Sequence, residues 1–246
     1  MKKTSILILG LLVAVGTLGA ARAADKSADG EALLAKILES SRAFEGKYVG
    51  SYSERRGTAR SLDPDDGDLV STKEFLVDIW EYPGEHPIRV VRACKIDDKP
   101  VDLEQCDEEQ RLEPAYRLFG KDSAKHYRFT FGGTAEHDGK QTYRIHVEAL
   151  EKTPRHLQGD LFYEQETLIP VKMDMTLAKY PFGLQDLSIE LAFIPKDGGP
   201  VIRSGKTNAK IYVPLLISQH TVTEFTASKQ RLLTEREGPK KVAASR

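Results

Sequence analysis

The chain has 246 residues, 36 Lys and Arg against 37 Asp and Glu, a net charge of −1 and 40% apolar residues. This balance excludes the basic field that nucleic-acid binding requires, and the length suits one large β domain or two small ones. The first 23 residues read as a secretory signal. Lys2 and Lys3 form a charged start, residues 6–18 an apolar run, and Ala21-Arg22-Ala23 an A-x-A cleavage site. The run is too short and Gly-broken to span a membrane. The expected product is therefore cleaved after Ala23, exported to the periplasm and not integral to the membrane. Loss of Lys2, Lys3 and Arg22 takes its net charge to −4.

Residues 29–44 carry the spacing of an amphipathic helix. Asp29 can cap it, Glu31 adds negative charge to its first turn, and Leu33, Leu34, Ile37, Leu38 and Ser41 share one face. Gly46 is its expected end. Strands are then predicted from Tyr48 to Arg56, Ser71 to Tyr82 and Ile88 to Lys95, with a polar break at 57–69. Asp97-Asp98-Lys99-Pro100 reads as a turn between Cys94 and Cys106. In an oxidising compartment an isolated cysteine pair forms a structural disulfide, so these two are expected to be bridged. Residues 107–122 are polar, with a short helix predicted around Ala115–Phe119.

Tyr127, Phe129 and Phe131 alternate into a turn at Asp138-Gly139, and Tyr143, Ile145, Val147 and Ala149 return from it. Asp-Gly between two clean alternations is a hairpin signal. Two further strands are predicted within 159–177, around the polar step Gln165-Glu166-Thr167. Leu161 and Tyr163 alternate in the first, and Met173 and Met175 in the second. Pro170, which lacks an N–H, suits the first position of the returning strand. Leu187, Ile189, Leu191 and Phe193 follow, then a flexible Gly/Pro-rich loop over 195–208. Strands from Ile211 to Phe225 come last. The pattern predicts a mainly β, α+β fold in one domain over 24–235, with a flexible basic tail at 236–246.

Catalytic signals are weak. Asp63, Asp65, Asp66, Asp68 and Glu74 resemble a calcium loop, but Asp68 stands where an EF-hand needs Gly, and a solvated turn is the simpler reading. His126, His137 and His146 fall on one predicted hairpin, but a metal site needs three or four converging ligands. No G-x-S-x-G elbow and no phosphate-binding Gly-rich loop is present. The chain is read as non-enzymatic, without metal or cofactor. A hydrolase using unrecognised residues is the remaining catalytic alternative.

Three segments carry a family likeness. They are Tyr48-Val49-Gly50-Ser51-Tyr52 after the helix, Asp138-Gly139-Lys140-Gln141-Thr142-Tyr143-Arg144-Ile145, and Gly159-Asp160-Leu161-Phe162-Tyr163 followed by Glu166-Thr167-Leu168-Ile169-Pro170-Val171-Lys172-Met173. In these the chain resembles the LolA-type periplasmic lipoprotein-carrier superfamily. The resemblance implies an unclosed antiparallel β-barrel, a half-barrel with the N-terminal helix and short helices as a lid over a hydrophobic cavity. It also implies a lipid or lipoprotein acyl chain as ligand, in outer-membrane lipoprotein or lipid trafficking. The lining expected from the alternation is Phe75, Val77, Trp80, Phe129, Tyr143, Ile145, Leu161, Tyr163, Met173, Met175, Ile189 and Leu191. Trp80 falls on the opposite parity from Phe75. Arg55 and Arg56 are the candidates by position for the arginine associated with lipid handling. The cysteine loop and the long 195–208 loop depart from the pattern. The rival reading is an envelope regulator that binds a protein partner through a sheet edge or loop.

Overall fold

A computed structural model describes residues 29–106, 115–120, 122–214 and 217–239. The expected signal segment lies outside the described residues, as does the tail from 240 onward. Helix α1 covers 29–47. Eleven strands follow: β1 (Gly50–Leu62), β2 (Leu69–Glu81), β3 (Ile88–Ile96), β4 (Lys99–Pro100), β5 (Tyr127–His137), β6 (Lys140–Ala149), β7 (Leu157–Glu164), β8 (Pro170–Leu177), β9 (Leu184–Lys196), β10 (Gly199–Val213) and β11 (Ile217–Leu233). A 3₁₀ turn at Leu103–Gln105 and a short helix α2 at Ser123–His126 lie between β4 and β5.

All eleven strands form one antiparallel sheet in the order β4-β3-β2-β1-β11-β10-β9-β8-β7-β6-β5. Every pairing joins consecutive strands except β1 with β11. The sheet does not close, because β5 and the β3–β4 end remain separate edges. The chain crosses between those edges through residues 101–126. The fold is thus an unclosed, mainly β half-barrel.

Register explains why this sheet has two unlike faces. Directly opposed residues on neighbouring strands point to the same side. One such row runs Phe131, Ile145, Leu161, Met173, Leu191, Gly205, Phe225, Gly57, Phe75 and Cys94, from β5 to β3. Every member is apolar or glycine. The next row, one residue along, points to the other side. It runs Thr130, His146, Asp160, Asp174, Glu190, Lys206, Glu224, Thr58, Glu74 and Lys95, all polar. Helix α1 packs on the apolar side, where Ile37, Leu33 and Leu34 join Ile145, Leu161, Tyr163 and Met175 in the main core. That side is the inner face.

Two expected breaks turn out to be strand. Gly57 and the run 199–208 read as loop because glycine and proline punctuate them, yet they lie inside β1 and β10. The glycines make room for rings on neighbouring strands. A Cβ on Gly205 would come within 2.5 Å of the Phe225 ring and 2.7 Å of Leu191, and one on Gly57 within 2.6 Å of Phe75. Aromatic side chains thereby cover backbone that glycine leaves bare. The true turns are shorter: Asp63–Asp68, where Asp63 Oδ1 accepts from the Asp65 amide at 2.9 Å, and Asp197-Gly198. Residues 115–119 are not helical, and the helix in this stretch is α2 instead. Helix α1 runs past Gly46 to residue 47, and β11 continues to Leu233.

A second cluster of Trp80, Tyr82 and Leu233, with Tyr52, Ile88 and Val90, sits on the outer face. The residues after β11 cover it. The Arg236 guanidinium lies 4.6 Å from the Tyr82 ring centroid and pairs with Glu85 at 2.8 Å, while Arg231 pairs with Glu237 at 2.6 Å. Cys94 and Cys106 are bridged, with Cα atoms 6.2 Å apart. Since Cys94 belongs to the inner row, the bridge starts the crossing segment on the inner face.

Replacing Gly205 by Val forces the Phe225 ring and Leu191 aside, and is expected to cost about 1–3 kcal/mol in urea denaturation. Closing a loop of this size by a disulfide stabilises by roughly 3 kcal/mol. A Cys94→Ser, Cys106→Ser protein should lose that amount, and reductant should then have no further effect on its midpoint.

Candidate functional site

Helix α1 crosses the inner face near the hairpin end of the sheet. Its start lies over β5, where a Cβ on Gly30 would meet the Phe131 ring at 2.8 Å. Its middle is anchored by Ile37, which is fully buried. One turn further, Ser41 Oγ and the Tyr163 hydroxyl are 3.2 Å apart. Tyr163 is fully enclosed, and burial pushes its phenol well above the ordinary range. The helix ends on the β9–β10 hairpin. There the Phe44 ring sits directly on Gly199, and the Tyr48 hydroxyl donates to the Asp197 carbonyl at 2.8 Å.

The crossing segment supplies the second cover. Residues 115–120 form a strap between α1 and the sheet. The Tyr116 amide donates to the Arg155 carbonyl at 2.8 Å, the Tyr127 hydroxyl donates to the Tyr116 carbonyl at 3.1 Å, and Phe119 stacks on Phe129 with centroids 5.6 Å apart. Arg117 pairs with Glu45 of α1 at 3.3 Å. Burial still pushes the Glu45 carboxyl up, against the pull of Arg117 and a hydrogen bond from the Phe119 backbone.

Between these covers and the sheet lies a cavity of about 900 Å³. Its floor is Leu161, Met173, Ile189, Phe193, Val201 and Ile202. Phe44 and Tyr48 from α1, Leu118 and Phe119 from the strap, and Leu168, Ile169 and Pro170 from the β7–β8 turn complete it. The β2–β3 turn, Tyr82 to Pro87, forms one lip. Most of this lining is apolar, as in sites that hold an apolar ligand by excluded water rather than by directed bonds.

The expected lining residues divide four ways. Leu161, Met173 and Ile189 line the cavity, Leu161 at the border of the core under α1. Ile145, Tyr163 and Met175 share their parity but are core beneath α1, with Phe129 and Tyr143 packed against them. Phe75, Val77 and Leu191 lie on the inner face beyond the helix. Trp80 is on the outer face: it opposes Tyr52, its ring centroid is 5.0 Å from that ring, and it belongs to the outer cluster. Period-two geometry puts it there once Phe75 faces inward. The residues that alternation did not single out come from the α1 end, the strap and the turns, which have no strand period. Phe193 had the right parity, two residues after Leu191.

Of the two candidate arginines, Arg55 faces inward and Arg56 outward. Arg55 has 10% of its side chain exposed and pairs with Glu81, which lines the cavity lip. Its Nε donates to Ser53 Oγ at 3.1 Å, and its guanidinium lies 4.8 Å from the Phe225 ring centroid. The histidines separate. His146 meets Asp160 on the outer face at 2.9 Å, whereas His126 contacts His156, a residue outside the predicted hairpin, at 3.2 Å. Among the described residues, no three His, Cys, Asp or Glu side chains are grouped to hold a metal ion. No described helix is long and apolar enough to cross a membrane.

No family model matches the sequence, and no curated protein matches it significantly. Solved structures do align. A putative outer membrane lipoprotein-sorting protein domain from Vibrio parahaemolyticus is 11% identical, with 81% of this chain and 93% of that chain covered at a TM-score of 0.44. A LolA superfamily protein from Nitrosomonas europaea is 12% identical over 83% and 94%, TM-score 0.40. A DUF1329 family protein from Desulfovibrio piger is 11% identical over 84% and 92%, TM-score 0.39.

The Tyr163–Ser41 contact is the buried polar tie between helix and sheet. Tyr163→Phe should lower stability by about 1 kcal/mol in denaturant titration and leave the cavity lining in place.

Proposed function

We propose that the protein is an exported, non-catalytic carrier or sensor that holds a lipid or lipoprotein acyl chain in the half-barrel cavity. The single observation behind this reading is the cavity itself, apolar in lining and about 900 Å³ in volume, between α1, the strap and the sheet. An unclosed sheet has one apolar face to hide. Helix α1 and the strap cover its β5–β8 part. Beyond them Leu191, Phe225 and Phe75 continue the same row and are only partly buried. A flexible chain can enter between the covers and lie along that row.

Magnitudes are adequate. Each buried methylene contributes about 0.8 kcal/mol, so ten contribute on the order of 8 kcal/mol, near micromolar affinity before ordering costs. Met173 on the floor suits varied chain shapes, because an unbranched thioether adapts to its neighbours. Export with signal cleavage after Ala23 places the carrier in the periplasm, where acylated cargo crosses between membranes. The second reading is a protein partner, supported by the sheet edges at β5 and at the β3–β4 end, to which an extended segment can add a strand.

Native mass spectrometry of the purified protein should show bound lipid, and a fluorescent fatty-acid probe should bind it. Met173→Glu puts a charge on the cavity floor and should weaken the probe by about tenfold or more, at least 1.4 kcal/mol. Absence of lipid and of probe binding in the wild type, with a stoichiometric protein partner captured instead, would reject the acyl reading.

A further inference from the structure

His156 is 1% exposed, and its ring has two partners. Nε2 is 3.2 Å from His126 Nδ1, and Nδ1 is 2.7 Å from Thr153 Oγ1. The facing nitrogens can share one proton. Two protonated rings put an N–H on each, pointing at one another with no acceptor between them. The strap is built onto this pair. The His126 ring stacks on Tyr116 at 4.1 Å and 9°, and the Arg155 guanidinium lies 4.2 Å from the same Tyr116 ring centroid. Arg155 also holds the Tyr116 amide through its carbonyl. Tyr116 is thus clamped by one fixed cation and one ring that can become a cation.

We propose that the His126–His156 pair is an acid-sensitive clamp: when both rings are protonated it lets go of Tyr116, and residues 115–120 lift from the cavity they wall. The effect on ligand rests on the acyl-binding reading above; the clamp does not.

The surrounding charges support the sign. Arg155 and Glu151 come from the β6–β7 connection, Tyr127 from β5, and Lys125 and Asp122 from the α2 turn. Arg42 and Glu45 of α1 share a groove with Tyr116 and His126. Burial holds His156 below the ordinary imidazole range, helped by His126 and Arg155 and opposed by Glu151. The docked strap therefore resists a proton that the lifted strap accepts. Docking is at full strength above the ordinary histidine range and weakens as pH falls through it towards the lowered value. Glu45 acts in the opposite sense. Burial raises its pKa, so its protonation favours the docked form, and Glu45→Gln isolates the imidazole effect.

The test is hydrogen exchange on the mature full-length protein at about pH 7.5 and about pH 5.5, corrected for intrinsic rates. The strap peptide containing Tyr116 should lose protection about tenfold or more at the lower pH, while the peptide containing Ile145 and Val147 stays protected. A fluorescent fatty-acid probe should dissociate faster by a similar factor. In His126→Phe, His156→Gln made in the Glu45→Gln background, which keeps a ring on Tyr116 and removes both imidazole charges, strap protection should not depend on pH, whereas Glu45→Gln alone should still lose it in acid. Equal protection at both pH values in the wild type, or an equal loss in the triple variant, overturns the clamp. Should that variant not fold, histidine titration by NMR in the wild type decides: two rings titrating independently near the ordinary value of about 6.5 overturn it. A strap that opens in acid in a protein that binds no acyl probe leaves the clamp standing and rejects the ligand reading.

Discussion

The constraint on which the structure depends is the in-register alternation of apolar and polar rows across the sheet. A sheet with one apolar face must cover that face. Here β1 pairs with β11, so the sheet's two free edges fall in the middle of the sequence, at β4 and β5. The chain has to pass from one edge to the other. The described parts of that connection are the Cys94–Cys106 bridge, the strap and α2. The strap, residues 115–120, forms a wall of the cavity.

The two covers are attached by different physics. Helix α1 is held by apolar burial, with Ile37 enclosed and Phe44 seated on Gly199. Burying such side chains contributes about 1.5–3 kcal/mol each. The strap has a smaller apolar component, Leu118 and Phe119, and depends on hydrogen bonds, the Arg117–Glu45 pair and the stack on His126. Surface-near polar ties of this kind contribute little individually and respond to pH and salt. Of the two covers the strap is therefore the more weakly attached, and α1 the more firmly held.

Sheet edges carry their own protection. Bulges interrupt β5 at Phe131/Thr134 and β3 opposite Leu76/Val77, which blunts edge-to-edge pairing. On the outer face, the Lys206–Glu224 ion pair and the His146–Asp160 hydrogen bond fill the polar row, and the segment after β11 covers the apolar cluster around Trp80 and Tyr82.

Much of this was legible from residues alone. Period-two runs located most strands, Asp138-Gly139 located a hairpin, the 3.6-residue period located α1, and compartment logic paired the cysteines. Alternation also determined that Phe75 and Trp80 take opposite sides. Glycine misled: Gly57 and Gly205 read as breaks because local chemistry gives them no reason to be extended, and the reason is a ring on the next strand. Parity marks which residues leave the sheet on the same side. It does not say which of them meet a helix and which meet empty space. That division, Ile145, Tyr163 and Met175 under α1 against Leu161, Met173 and Ile189 in the cavity, was decided by where α1 lands. The meeting of His126 with His156, thirty residues apart, was decided by packing of the strap against the β6–β7 connection. Strand identity is a local property of side-chain spacing and can be read in sequence, whereas a cavity is what distant elements leave unfilled and exists only once they have packed.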